Sequence, residues 1–522
     1  MTLKNYIFKK KILNGIRFSV CLIALSFSFF LSGAPETNNT SMTLYVNNLS
    51  GDDSFDGLVE KPITGTKKGP FKTIKKAFVS VKTSGKIEIA NTGKPYKEQC
   101  TFSRGGGTPE APTVVEGNGA VISGLDVVPA EKWKPVKDAI YETEFYPMSN
   151  MLKGYKEHNY WIGSPQIWWL DGKPGINCKT YQEMENTETG FYWDKRKKKA
   201  FVHIPGGKKI NDLSIEMPVH GTSVCVNTDY VVVKNLKSMF SWNDGFDTHA
   251  NSKNVIYKNC TAIGNCGQAF SNHDLCTSTY ENCAGKGCAS SGACDVNSCM
   301  VLYRNCVFIN NTFEAGAYAT ENAKITLENC IIAGNEPFEQ IWQKGTSSLS
   351  LFNCLIIGKK GNPNPALKME NGIVYMNQCT IIDVPYLAEI NAESSGSLKL
   401  INCIVGRMEK PFLKIADKKN VISRNNIYFD VPGVEYGGKI FNKENWAEYQ
   451  KASGLDANSE WIDPSLTGKL NSVLPDGSPL NKKGKFYSAA ARIGAAIPES
   501  VWKLYQETAD SYALPSGIFK KD

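Results

Sequence analysis

Histidine and aspartate occur together in two short stretches near the centre of the sequence. The first stretch contains Asp247 and His249, and the second contains His273 and Asp274. The chain has only 5 histidines, and two of them, His249 and His273, lie 24 residues apart. Histidine titrates near neutral pH, and a neighbouring carboxylate can orient it and stabilise its charged form. These residue types therefore suit a site that transfers protons.

A repeat of similar length runs through the centre of the chain and must position these stretches. Seven cysteines follow one another at intervals of 23, 23, 24, 24, 25 and 24 residues, and each follows Asn except one, which follows Gln378; they are Cys260, Cys283, Cys306, Cys330, Cys354, Cys379 and Cys403. A fixed period of this length indicates a solenoid, in which each coil buries its apolar face against its neighbours.

Short segments rich in β-branched residues precede the repeated cysteines, as in 231–233 and 325–327, with Gly and Asn between them. This composition is typical of strands and turns. The sequence therefore predicts an all-β fold, a right-handed parallel β-helix with coils of about 24 residues. We expect the Asn side chains to form a hydrogen-bonded ladder in the turns and the cysteines to fill the interior, mostly as thiols. Off-ladder cysteines such as Cys276 and Cys299 leave room for a disulfide.

The first 34 residues have the features of a signal peptide. Five basic residues precede an apolar run from Phe18 to Leu31, and small residues follow it. The run is short for a membrane span, so we expect export without stable membrane insertion. Removal of this segment leaves 54 basic against the 51 acidic residues, a net charge of about +3. This weak charge and the exported location disfavour nucleic acid as a partner.

The repeat and its interruptions divide the rest of the chain into four predicted parts. Residues 35–126 form an N-terminal cap with the first coils, and its amphipathic helix covers the open end of the solenoid. Residues 127–218 form an inserted β-rich module with five of the 10 tryptophans. Residues 219–430 form the main β-helix, and residues 431–522 the closing coils and tail. We expect a monomer.

Counting residues from the Asn–Cys marker of each coil predicts which residues occupy the same position in the repeat, which we call a phase. Asp247 and Ser271 share one phase and the two histidines another, whereas the phase between them holds Thr248, Asn272, Asp295, Tyr318 and Trp342. Strand alternation then directs Asp247, His249, Ser271 and His273 outward onto one face of a sheet. They form either a reactive patch or a ladder of exposed polar residues. Trp242, Asp295, Tyr318 and Trp342 are the candidate substrate-binding residues nearby.

Two resemblances to known families involve this region. Asp244-Gly245-Phe246-Asp247-Thr248-His249, with Asn265 and Phe270 in the next coil, resembles the Tyr-Gly-Phe-Asp-Pro-His stretch of mannuronan C5-epimerases, β-helix enzymes that act on alginate. That resemblance implies catalytic roles for Asp247 and His249, with Asp244 and Thr248 replacing Tyr and Pro. The stretch Asn243-Asp244-Gly245-Phe246-Asp247 also resembles the calcium-binding Asp-Asp-Gly-Phe-Asp of a pectate lyase family. It implies that Asn243, Asp244 and Asp247 bind Ca²⁺, a cation that prefers oxygen ligands.

Both families begin by removing the proton next to a uronate carboxylate. The sequence therefore predicts a secreted enzyme that acts on an acidic polysaccharide, with lyase-type β-elimination as the first choice. Asp247 and His249 form the predicted centre, His273 is the second proton-transfer group, and Asp274 or Asp295 supports them.

Three alternatives to the lyase remain open. The first is a glycoside hydrolase that uses paired carboxylates. Asp247 and Asp295 would lie about 10 Å apart, two strand spacings, whereas Asp247 and Asp274 would be closer. The second is a C5-epimerase, and the third is a glycan-binding β-helix without catalysis.

Overall fold

The computed structural model describes residues 42–144, 168–194, 196–312, 314–335, 339–359, 361–391, 393, 395–464, 466 and 493–511. The predicted signal peptide, residues 1–34, lies outside the described residues. Within them, no helix is both long enough and apolar enough to cross a membrane.

The described chain winds into a right-handed parallel β-helix of about 13 coils, which confirms the predicted fold. Strands of successive coils pair in parallel, so that residues one period apart become neighbours. Phe246, for example, pairs with Phe270, and Asp247 pairs with Ser271. The interior is packed with side chains from every coil, which is why no single coil could be stable alone.

Three long sheets and one short sheet form the walls of the coil. Sheet 1 contains Thr43–Val46, Lys86–Ile89, Thr113–Glu116, Val231–Lys234, Val255–Lys258, Thr277–Glu281, Met300–Arg304, Lys324–Glu328, Ser348–Phe352, Ile373–Asn377, Ser397–Ile401 and Val421–Arg424. Sheet 2 contains Tyr96–Lys97, Val121–Ser123, Lys237–Met239, Thr261–Ile263, Ala284–Lys286, Val307–Ile309, Ile331–Ala333, Leu355–Ile357, Thr380–Ile382, Ile404–Gly406, Ile427–Phe429 and Glu460–Trp461.

Sheet 3 contains the predicted site. Its strands are Cys100–Phe102, Val224–Val226, Phe246–Thr248, Phe270–Asn272, Ala293–Asp295, Ala315–Ala319, Glu339–Gln343 and Leu367–Met369. The short sheet 4 contains Ala388–Ile390, Leu413–Ile415, Val434–Tyr436 and Lys439–Phe441.

The Asn–Cys marker lies at a turn that requires a positive φ angle. Asn282 and Asn305 have φ of 54° and 56°, a conformation that Asn adopts more readily than other residues with a side chain. The side-chain Nδ2 of each Asn donates a hydrogen bond to Oδ1 of the Asn one coil earlier. The distance is 3.3 Å from Asn282 to Asn259 and 3.2 Å from Asn305 to Asn282. The next residue, such as Cys283, then points into the interior. All 15 cysteines of the described residues are free thiols, so none of them forms a disulfide.

Helices cover the ends and sides of the coil; they are Ile74–Ser80, Tyr181–Glu185, Trp446–Ser453 and Glu499–Asp510, with 3-10 turns at Ala130–Lys132, Ile210–Asp212 and Lys418–Asn420. The first helix begins after Thr73, whose side chain accepts a hydrogen bond from the amide of Lys76. Its buried face packs on the first coils, with the Phe78 ring 4.8 Å from that of Phe102. This contact closes the N-terminal end of the interior.

Two small sheets lie in the sequence between the first coils and the main part of the β-helix, whose strands pair directly with each other. One contains Leu125–Val127, Trp169–Leu170, Lys173–Pro174 and Ile215–Pro218, and the other contains Lys134–Lys137, Ile140–Glu144, Ile176–Asn177, Gly190–Asp194 and Lys199–His203. Trp133, Trp168 and Phe191 are buried in a shared apolar cluster that also includes Trp242 of the β-helix. These aromatic side chains therefore form the core of this region and attach it to the coil.

Candidate active site

One row of side chains on sheet 3 points away from the interior of the β-helix. We call it the outer row; strand pairing aligns its members, which are Cys225, Asp247, Ser271, Cys294, Tyr318, Trp342 and Lys368. Phe246 and Phe270, the residues before Asp247 and Ser271, are fully buried in the core. Because side chains alternate along a strand, His249 and His273 lie on the same face as the outer row.

The marker spacing predicted that Tyr318 and Trp342 share a phase with Thr248, and this is wrong. Both belong to the outer row, in line with Asp247. Pairing aligns Lys286 with Ile309 and Ala293 with Ala317, so the turn in the later coil is one residue longer. That extra residue shifts Tyr318 and Trp342 by one position relative to their markers.

Asp295 lies on the inner side of sheet 3, beside Thr248 and Asn272, and is fully buried. Its Oδ1 atom accepts hydrogen bonds from Asn272 Nδ2 at 2.6 Å and from the Tyr303 hydroxyl at 3.0 Å. The prediction that Asp295 contacts substrate is therefore wrong, because strand alternation directs its side chain inward. The hydrolase that pairs Asp247 with Asp295 fails for the same reason.

The two histidines stack on each other as the repeat predicted. Their ring centroids are 4.1 Å apart and their planes differ by 8°. His249 Nε2 is 2.8 Å from Asp247 Oδ2, and His249 Nδ1 is 3.7 Å from Asp274 Oδ2. Asp274 is thus on the far side of His249 from Asp247, and its Oδ2 also accepts a hydrogen bond from the amide of Ala250 at 3.0 Å.

His273 has different partners. Its Nε2 atom is 2.9 Å from the Ser271 hydroxyl and 3.9 Å from Asp247 Oδ1. Ser271 is itself almost fully buried, at 1% exposure. His273 therefore has one neutral hydrogen-bonding partner where His249 has a carboxylate.

These surroundings move the two imidazole pKa values apart. Burial alone would lower the pKa of His249, but the hydrogen bond to Asp247 and the charges of Asp247 and Asp274 raise it to about 9. Burial lowers the pKa of His273, and the positive charge of His249 lowers it further, against the opposing effect of Asp247. At neutral pH the site therefore holds an imidazolium stacked on a neutral imidazole.

The Asp247 carboxylate faces the Nε2 atoms of both rings and the residue is only 3% exposed. Its Oδ2 atom accepts the hydrogen bond from His249, whereas its Oδ1 atom is buried without a hydrogen-bond partner. A buried carboxylate oxygen without a hydrogen-bond partner is costly. Oδ1 lies 3.9 Å from His273 Nε2 and is therefore placed to interact with a positive charge on that ring.

Asp244 is buried, and its carboxyl accepts a hydrogen bond from a turn of the next coil. Its Oδ1 accepts a hydrogen bond from the amide of Gln268 at 2.8 Å, and its Oδ2 accepts one from Asn243 Nδ2 at 3.1 Å. A Cβ atom on Gly267 would lie 2.4 Å from Oδ1, so glycine is required to make room for this carboxyl. Burial, and then the charge of Asp247, raise the pKa of Asp244.

The set Asn243, Asp244 and Asp247 does not fit calcium. Calcium needs six to eight oxygen ligands, but both oxygens of Asp244 already accept hydrogen bonds from N–H groups that would face the ion.

A different trio of metal-binding atoms surrounds Asp247. Cys225 Sγ, the Asp247 carboxylate and a ring nitrogen of His249 all lie within 4.8 Å of one another. The Cys225 thiol, however, donates a hydrogen bond to Asn227 Oδ1 at 3.2 Å, and burial raises its pKa. The Cys225 thiol therefore already has a hydrogen-bond partner within the protein.

Trp242 is buried, with 3% of its surface exposed, so the prediction that it contacts substrate is wrong. Its ring lies edge-on to Trp193, with centroids 6.2 Å apart. The small sheets beside the β-helix cover it, which the sequence did not reveal.

Tyr318 and Trp342 lie farther along the outer row, as neighbours with ring centroids 5.0 Å apart. Two lysines that the sequence did not single out lie against Trp342. Lys368 Nζ is 4.1 Å and Lys344 Nζ is 5.6 Å from the ring centroid. These residues become neighbours through the pairing of strands in coils whose turns differ in length, so their spacing in the sequence does not predict the contact.

Comparisons with known proteins give structural neighbours but no sequence relatives. No protein-family model matches the chain, and no curated protein matches it. A structure described as the complex of XylC with xylose is similar, with 12% identity, 81% of this chain and 87% of that chain covered, and a TM-score of 0.46. Pectate lyase Pel9A has 12% identity, covers 87% of this chain and 96% of its own, and has a TM-score of 0.43. Similarity at this level does not identify an activity.

Proposed function

We propose that this protein is an exported enzyme that cleaves a uronate-containing polysaccharide by β-elimination, with His273 as the base. The stacked pair of a charged and a neutral imidazole supports this function. Two titratable groups whose surroundings separate their pKa values are suited to act as acid and base at one pH. The resemblance of Asp244–His249 to the epimerase motif supports a uronate as the sugar.

The proposed reaction begins with the binding of a uronate beside the two rings. The His249 imidazolium neutralises the sugar carboxylate, which makes the C5 proton more acidic. The unprotonated ring nitrogen of His273 removes that proton, and the released electron pair forms the C4=C5 double bond. The C4–O bond then breaks, and the leaving oxygen takes the proton back from His273, which restores the neutral ring.

Asp247 holds the pair in these states. Its hydrogen bond to Nε2 keeps His249 charged, and its Oδ1 atom faces His273 Nε2 at 3.9 Å. When His273 takes up the substrate proton, this carboxylate oxygen stabilises the new imidazolium. Asp274 supports the charge of His249 from the opposite edge.

An epimerase would use the same first step and then return a proton to C5 from the opposite face. It remains the second candidate because Asp244–His249 resembles the epimerase motif. The products separate the two reactions, since only elimination leaves an unsaturated sugar that absorbs ultraviolet light.

The test is the ultraviolet absorbance of purified protein with pectate, alginate and other uronate polymers. We expect absorbance to rise on one of them, and His273→Ala to lower kcat by about 10²- to 10⁴-fold, as for other general bases. Asp247→Asn should also abolish turnover. His203→Ala is the matched control, because His203 lies beside Met184 outside the site. No absorbance on any uronate polymer, or full activity of His273→Ala, would refute the proposal.

A further inference from the structure

Trp342, near the end of the outer row, has two lysines beside its ring. Trp342 is half-buried and its Nε1 atom has no hydrogen-bond partner. Lys344 and Lys368 are both exposed, and their ammonium groups lie 5.6 Å and 4.1 Å from the Trp342 ring centroid. We call these three residues the cationic platform.

Several cations on the outer face of sheet 1 are paired with acids. On the outer face of sheet 1, Lys258 pairs with Glu281 at 2.9 Å and Arg304 pairs with Glu328 at 2.9 Å. Neither lysine of the cationic platform forms an ion pair with any described residue. Two cations without carboxylate partners on one aromatic ring favour an anionic ligand.

Glu314 is an acid that interacts electrostatically with Lys344. Its Oε2 atom accepts hydrogen bonds from the hydroxyls of Ser290 and Ser291 at 2.9 Å and 2.8 Å, and burial raises its pKa. The Glu314 carboxyl is therefore held by these serines and forms no ion pair with Lys344.

The cationic platform is in line with the proposed active site. Pairing leads from Asp247 through Ser271, Cys294 and Tyr318 to Trp342 in four steps. At one strand spacing of about 4.8 Å per step, the separation is about 19 Å. A single sugar cannot bridge that distance, but a polysaccharide lying along the axis of the β-helix can.

We propose that Trp342, Lys344 and Lys368 form a subsite for a carboxylate-bearing sugar several residues away from the bond that is cleaved. The inference rests on the proposed function, which supplies the polymeric uronate as substrate. It adds that the polysaccharide lies along the axis of the β-helix and that a long substrate is needed to reach the subsite. Trp342 supplies an apolar ring face for the sugar, and the two lysines bind its carboxylate.

The first experiment measures binding without turnover. Both double variants are made in the His273→Ala background. The platform variant is Lys344→Ala/Lys368→Ala, and the sheet 1 control is Lys324→Ala/Lys399→Ala, which removes the same charge from sheet 1. Retardation in gels that contain pectate or alginate gives the affinity. We expect the platform variant to bind about four- to twenty-five-fold more weakly, at two- to five-fold per exposed ion pair. We expect the sheet 1 control to match the parent and Lys368→Arg to retain binding.

Equal binding by the platform variant and its control would overturn the inference. Lysine-dependent binding to sulfated polymers but not to uronates would overturn the carboxylate assignment. A second arm measures turnover in the active enzyme, where the platform variant should raise KM for long polymers and leave kcat/KM for a trimer unchanged. Turnover of long polymers that does not depend on the platform refutes the subsite alone, whereas lysine-dependent binding without any turnover refutes the proposed reaction alone.

Discussion

His249 and His273 have the same side chain in nearly parallel rings, and their neighbours decide their charge. His249 is between the carboxylates of Asp247 and Asp274, whereas His273 contacts the hydroxyl of Ser271. The stack itself adds to the difference, because a positive ring disfavours a second positive charge 4.1 Å away. The protonation of each ring therefore depends on the other.

This dependence predicts a bell-shaped pH profile for the proposed activity. His273 must be neutral to accept a proton, so kcat/KM should rise as pH increases through its pKa, which lies below 6.5. His249 must be charged, so activity should fall as pH increases through about 9. Initial rates between pH 4 and 11 measure both limits. In Asp274→Asn the upper limit should move to lower pH, because His249 loses one of its two carboxylates, and an unchanged limit would contradict this assignment.

The turns that carry the Asn ladder make each coil repeat possible. Asn305 combines a φ of 56° with a hydrogen bond to Asn282 and another from Asn329. The same side chain therefore satisfies two demands, a left-handed backbone and contact with both neighbouring coils. Asn is favoured here for physical reasons that do not involve the active site.

Substitution of Asn305 separates these two contributions. Asn305→Gly keeps the positive φ and loses the ladder bonds, which should cost about 1 kcal/mol. Asn305→Ala loses the bonds and also places a Cβ atom in a left-handed conformation, so it should cost about 2–3 kcal/mol. Thermal unfolding followed by circular dichroism measures both. Equal destabilisation by the two variants would show that the backbone conformation contributes nothing.

The molecule as a whole has a mixed interior, in which apolar residues surround a column of polar ones. Tyr257, Tyr280 and Tyr303 stack inside the coil with ring centroids 4.7 Å apart at each step. Asp295 lies next to this column, and its Oδ2 atom has no hydrogen-bond partner. Because neighbouring coils support one another, a charge buried in one coil affects the stability of the stack.

Asp295 should make the stability of the protein depend on pH. Burial raises the pKa of Asp295 from 3.8 to about 7, against the hydrogen bonds from Asn272 and Tyr303. The Asp295 carboxyl thus holds its proton more tightly in the folded than in the unfolded state. Its contribution to the stability of the folded protein is therefore greatest below pH 4 and falls as pH rises to 7. Asp295→Asn mimics the protonated acid, and its melting temperature relative to wild type should increase between pH 4 and 8. A constant difference across that range would contradict the assignment.

The period of the Asn–Cys pairs was enough to predict the β-helix, because a coil that stacks on its neighbours must repeat the residues of its turns and interior. The same period predicted that His249 stacks on His273 and that Asp247 lies beside them. These residues belong to adjacent coils with equal turns, so their spacing in the sequence gives their spacing in the structure.

Only the tertiary structure decided which more distant residues join the site. One extra turn residue moved Tyr318 and Trp342 into the outer row, and strand alternation placed Asp295 inside the coil. The side sheets buried Trp242. Burial and charge, which depend on all neighbours in space, set the different protonation of two identical histidines. Local spacing determined the scaffold, whereas packing determined the chemistry that its surface can perform.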